Sequence, residues 1–201
     1  MIRQWLKQNR HSDDSIEVVD YALKLAIRTS TYSPNASVLL DLSTPLPYIK
    51  DKEAVRVLIG NFDSQKGTIE QVGPTEDYIR LQLNLAHAQS KFDIDSTLNR
   101  MIDIYLYIDA LRDLSVRTTC LSRYVSSLDK IDPDKMFEEN EKLHSMAENE
   151  LNKDIHTLLN TSGDHYHASR SIISALSKNK SYIALDIIKD INTEDRRNLG
   201  Y

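Results

Sequence analysis

From Tyr78 to Asp132 the chain carries three apolar patterns in succession, separated by only a few residues. The first is YIRLQLNLAHAQSKF. Ile79, Leu81, Leu83 and Leu85 alternate with polar residues as a strand would, yet Tyr78, Leu81, Leu85, Ala88 and Phe92 fall at helical spacing. Ile79, Leu83 and Ala86 make a second helical stripe. Composition decides between the two readings. No β-branched residue stands between Leu81 and Phe92, and Leu, Gln and Ala favour helix. Pro74-Thr75-Glu76-Asp77 supplies a capping hydroxyl and acidic charge for the helix start. Two apolar stripes predict a helix covered on more than one side.

The second pattern, STLNRMIDIYLYIDALRDLS, places Leu98, Met101, Ile102, Tyr105, Ile108 and Leu111 on one face, with Arg100, Asp103 and Asp109 pointing away. Asp95 or Ser96 is the expected cap. The third gathers Cys120, Leu121, Tyr124, Val125 and Leu128 and ends before Pro133. Helices joined this closely pack antiparallel to their neighbours.

Only 5 Gly and 5 Pro occur among 201 residues, too few for an all-β fold built on tight turns. The formal net charge of −5 disfavours a generic phosphate-binding surface. A single Cys cannot make an intrachain disulfide. No apolar run reaches the roughly 18 residues of a membrane span. The start, MIRQWLKQNRHSDDS, lacks the apolar core of a signal peptide. A cytoplasmic location is the expectation.

Further helices are expected over residues 1–10, 15–29, 36–42, 48–60, 133–160, 165–178 and 181–191, with another starting at Glu194. Residues 61–76, with Gly67 and Gly73-Pro74, read as a flexible break. In the long helix Met136, Leu143, Ala147, Leu151, Ile155 and Leu158 share a side, and the opposite side is acidic.

The pentad LLDLS at 39–43 recurs as LRDLS at 111–115 and, in shape, as IKDIN at 188–192, spacings of 72 and 77 residues. A period of about 75 holds two helix–turn–helix units of solenoid size. The segment HASRSIISALSKNKSYIALDIIKDINTEDRRN, with Ala168, Ala175 and Ala184 as small packing residues, resembles a helix–turn–helix unit of the tetratricopeptide-like α-solenoids. The central YIRLQLNLAHAQSKFD and YLYIDALRDLS are similar in style. The Gly and Trp positions of a standard tetratricopeptide unit are not in register. The resemblance implies an all-α fold of antiparallel helix pairs stacked as a right-handed solenoid, about eight or nine helices in one region over 1–201. It also implies a sensor or scaffold role beside further domains. A helix opening at Glu194 has few residues left to bury its face, so a fragment of a longer chain is expected.

No nucleophile elbow, P-loop or dinucleotide fingerprint is present. His165-Tyr166-His167 with His156 is the densest group of imidazoles and underlies an alternative reading as a metal-dependent enzyme. Solvated polar residues explain it more simply. His87, in an apolar helix, reads as a packing histidine. Cys120, with Arg117 and Arg123 nearby, reads as a small buried hydrophobe rather than an activated thiol. The carboxylate pairs Asp109 with Asp113 and Asp186 with Asp190 read as solvated helix faces. Tyr78, Tyr105, Tyr107 and Tyr124 are the candidate partner-binding residues, because exposed aromatics favour interfaces, although core packing is the simpler role of each. The expected function is a non-catalytic protein–protein interaction module without cofactor, metal or membrane contact, whose partner is a protein or peptide. Helical-repeat RNA binding is the other alternative, opposed by the acidic balance.

Overall fold

The computed structural model describes residues 14–29, 36–64, 75–131 and 138–161. Seven helices and no strand occur among them: α1 (Asp14–Thr29), α2 (Ala36–Ser43), α3 (Lys52–Asp63), α4 (Glu76–Gln89), α5 (Ile94–Asp109), α6 (Leu114–Leu128) and α7 (Glu138–Thr161). One 3₁₀ turn, Leu46–Tyr48, links α2 to α3. The helices expected over 1–10 and beyond 161 lie outside the described residues, as do Met136 and residues 65–74 of the expected break.

The helix starts are set by side-chain caps. Asp51 Oδ1 accepts from the Glu53 and Ala54 amides, both at 3.0 Å, so α3 begins later than the 48 that apolar spacing indicates. Pro47 and Ile49 belong to the preceding turn and are buried there. Thr75 Oγ1 accepts from the Tyr78 amide as expected. The cap of α5 is Asp93, whose Oδ1 accepts from the Ser96 amide at 3.0 Å, rather than Asp95 or Ser96. Asp113 caps α6 through the Ser115 and Val116 amides. Each such cap contributes about 1 kcal/mol by satisfying amides that no helix carbonyl can reach.

α4 is the central element. It packs against α2, α3, the 3₁₀ turn, α5 and α6. Its two apolar stripes feed two different cores. Ile79, Leu83 and Ala86 join Met101, Ile104, Ile108, Cys120, Tyr124 and the inner residues of α7. Tyr78, Leu81, Leu85 and Ala88 join Leu23, Leu39, Leu46, Leu58 and Phe62. Tyr107 packs against both clusters. Each fully buried large side chain contributes roughly 1.5–3 kcal/mol, which is why a helix with two buried stripes anchors the rest.

From α4 onward each helix packs on the next and on the next but one. The contacts give the directions. Tyr124 of α6 reaches the Met101 carbonyl near the middle of α5, while Arg117, earlier in α6, approaches Asp109 at the end of α5. α5 and α6 are therefore antiparallel. Arg117 meets Glu150 and Asp154 of α7, and Asp129, just past α6, meets His144, so α6 and α7 are antiparallel too. α4 and α6 consequently run side by side in the same direction but staggered, with Glu76 at the start of α4 against Arg123 in the latter half of α6.

The pentad repeat is not sustained. Residues 39–43 form the closing turns of α2, whereas 111–115 spans the α5–α6 connection, the cap Asp113 and the opening of α6. One pentad ends a helix and the other begins one, so the shared letters do not mark equivalent positions. The third copy lies outside the described residues.

Candidate functional site

The four tyrosines fall into two ring pairs, each joining one buried and one half-buried side chain. Tyr78 and Tyr124 are sealed, at 1% and 0% exposure, and Tyr105 and Tyr107 are half-buried. Tyr78 stacks edge-on to Tyr107 with ring centroids 5.3 Å apart, and Tyr105 tilts against Tyr124 at 5.9 Å. The bulky rings fill the seams between α4, α5 and α6, where two apolar cores meet. Their role in this geometry is packing.

The reactive side chains are also accounted for. Cys120 is buried, and burial pushes its thiol up to about 12, outweighing the nearby Arg123 and Arg80 charges. His87 is held below its ordinary value by burial and then by the Lys130 and Lys91 charges, so its imidazole is neutral at pH 7. Asp109 faces Arg117 and Asp113 caps α6, which splits that carboxylate pair between two tasks. Among the described residues no three or more His, Cys, Asp or Glu converge as a metal site requires. His156 is exposed on α7, and His165 and His167 lie outside the described residues, as do Asp186 and Asp190. No helix of the described residues is long and apolar enough to cross a membrane.

Two polar clefts flank the central helices. The first, about 410 Å³, lies between α3, α4 and α5. Arg100, expected to point away, turns into it. Its guanidinium donates to Asp63, Gln82 and Gln89 at once, and the side chain is only 12% exposed. Four of its five N–H donors are directed at these protein groups, so this cleft is braced by its own polar contacts. A parallel clasp joins α6 to α7, where Arg117 holds Glu150 and the buried Asp154. Burial raises the Asp154 carboxyl despite that pairing.

The second cleft is an open groove of about 540 Å³ between α4 and α6, floored by Leu40, Thr44 and Leu83. Its walls are Arg80 and Asn84 from α4, and Arg123, Ser126, Ser127 and Lys130 from α6 and its end. Asn84 donates to Ser43 Oγ at 3.0 Å, which fixes the amide against α2. Arg123 Nη1 lies 2.6 Å from Glu76, and Arg80 Nη1 lies 3.7 Å from Asp77, a loose and half-exposed pair. Among the described residues no carboxylate pairs with Lys130 and none lines the groove.

These wall residues were legible in principle. Arg80, Asn84 and His87 recur along α4 at helical spacing with Lys91 just past its end, and Arg123 and Ser127 do so along α6 with Lys130 just past its end. Each polar stripe interrupts an otherwise apolar helix. What periodicity does not reveal is that the two stripes face one another, because that depends on α4 and α6 being parallel neighbours. Lys91 leaves the set, since its ammonium donates to the Pro47 carbonyl.

Comparison with protein-family models, with characterised proteins and with solved structures finds no match to this chain.

Proposed function

We propose that the chain is a non-catalytic interaction module, a scaffold or sensor built from stacked helix pairs, which engages a protein or peptide partner. The single observation that carries this reading is the open groove between α4 and α6. Its wall positions stand on helices whose opposite sides are locked into two apolar cores. A binding surface set on such a rigid frame loses little conformational freedom when a partner docks. The finer arrangement, a right-handed tetratricopeptide-like solenoid, belongs to the same proposal. It is supported by the succession of antiparallel neighbours in which each helix from α4 onward also contacts the next but one. A cytoplasmic setting is part of it as well, supported by a lone, buried, unpaired thiol.

The test is site-specific photocrosslinking in the native cell, with the crosslinker placed in turn at Ser126, in the groove, and at Leu106, an exposed position on α5. The expected result is one or more discrete protein adducts, identified by mass spectrometry and reproduced with the purified partner by calorimetry. Absence of any protein adduct at either position, together with turnover of a small molecule by the purified chain, would sink the reading.

A further inference from the structure

We infer that the α4–α6 groove is a receptor for a short acidic protein segment, one whose carboxylate or phosphoryl groups are held by Arg80, Arg123 and Lys130. The inference rests on the interaction-module reading above and names the chemistry of its partner.

The charge distribution is the first ground. The whole chain carries a formal −5, so cations are in the minority, yet three of them line this one groove and no acid does so among the described residues. The two acids that touch these cations, Glu76 and Asp77, stand in the first turn of α4, at one end. Among the described residues no carboxylate pairs with Lys130 at the other end.

Donor chemistry is the second ground. Arg80 offers a planar fork only loosely engaged with Asp77, Lys130 an exposed ammonium, and Ser126 a hydroxyl, spread along parallel helices and the end of α6. Anions spaced along an extended segment can meet these groups in turn. Leu40 and Leu83 on the floor give such a segment an apolar contact. The volume of about 540 Å³ suits a few residues rather than a folded domain.

RNA fits less well. Single-stranded RNA is held by aromatic stacking platforms alongside cations, and among the described residues no aromatic side chain lines the groove. Three cations on a net-acidic protein also give little counterion release.

The experiment is fluorescence anisotropy with four labelled probes: a decapeptide of Glu, Asp, Gly and Ser, the same peptide bearing one phosphoserine, a Lys-rich decapeptide, and a single-stranded RNA of ten nucleotides. Each is titrated with the full chain at low salt and again at about physiological ionic strength. The acidic peptides are expected to bind, more weakly as salt rises, and the basic peptide not to bind. The double variant Arg80→Glu with Lys130→Glu should weaken acidic-peptide binding at least about tenfold. Lys24→Glu with Lys153→Glu makes the same change in net charge on α1 and α7 and should leave binding within about twofold. Circular dichroism confirms folding, and Arg80→Gln with Lys130→Gln is the milder substitute if charge reversal unfolds the chain. A tighter complex with the phosphopeptide assigns the site to phosphoryl groups; equal affinities assign it to carboxylates. No acidic-peptide binding at low salt, binding indifferent to the groove substitutions, or tighter binding of RNA overturns the inference. If peptides fail while crosslinking still captures a protein through Leu106, only the groove assignment falls and the module reading stands.

Discussion

The guanidinium of Arg100 closes on both carboxylate oxygens of Asp63, with Nη1 2.9 Å from Oδ1 and Nη2 2.7 Å from Oδ2. Through Gln82 and Gln89 the same side chain also holds α4, so one residue ties three helices together. Replacing it leaves two buried amides and one carboxylate short of a partner. Arg100→Met is expected to lower stability by about 2–4 kcal/mol in urea unfolding. Asp63→Asn should have a smaller effect, because Asp63 still reaches water at 37% side-chain exposure. A loss below about 0.5 kcal/mol for Arg100→Met would mean that water replaces the clasp.

Tyr124 combines a packing role with a polar one. Its hydroxyl donates to the Met101 carbonyl at 3.0 Å inside the core, and burial pushes its ionisation well above the usual phenol range. Tyr124→Phe keeps the ring and should lower stability by about 1 kcal/mol. Tyr124→Ala opens a cavity against Tyr105 and should lower it by about 3–5 kcal/mol. Equal effects from the two variants would assign the stabilisation to the hydroxyl instead of the ring.

Cys120 should be chemically silent in the folded chain. It is 0% exposed and its thiol is pushed up to about 12, so almost no thiolate exists at neutral pH. With a disulfide reagent at about pH 8, native protein is expected to release no chromophore over minutes, and urea-unfolded protein one equivalent. Fast labelling of native protein would show that α6 opens readily or that the thiol is accessible.

His87 gives a sign to the pH dependence. Its folded proton affinity lies below the ordinary 6.5, chiefly through burial and then through Lys130 and Lys91. Above 6.5 both folded and unfolded chains hold it neutral, and its contribution to stability is fully present. As pH falls from there through the folded value, the unfolded chain takes the proton first and that contribution is lost. Urea unfolding at about pH 7.5 and about pH 5.5 should show a decline that His87→Gln reduces. An identical decline in the variant would assign the effect to other groups.

Much of the architecture was written in local patterns. The two stripes of α4 were readable as two buried sides, and those sides are the two cores. Thr75 was readable as a cap, and Cys120, Leu121, Tyr124, Val125 and Leu128 as the inner face of α6. The reading of α5 was less accurate. Ile102 is substantially exposed, at 43%, while Ile104, absent from the expected face, is fully buried. Its face is rotated because α5 packs on α4, α6 and α7 together, and burial follows the sum of those contacts rather than a single stripe.

By itself, then, the sequence determined that this chain is helical, where most described helices run and which side of α4 and α6 avoids water. Those properties follow from backbone propensity and side-chain spacing within about four residues. Only the tertiary structure decided the rest. It turned Arg100 inward, because Asp63 waits 37 residues earlier in the chain. It drew the tyrosines into the seams between helices. It also set Arg80 and Asn84 of α4 beside Arg123 of α6 and Lys130 just past its end, making a cationic groove in an acidic protein. A polar stripe is the same in sequence whether it faces water or another stripe, and only the packing of distant helices distinguishes the two.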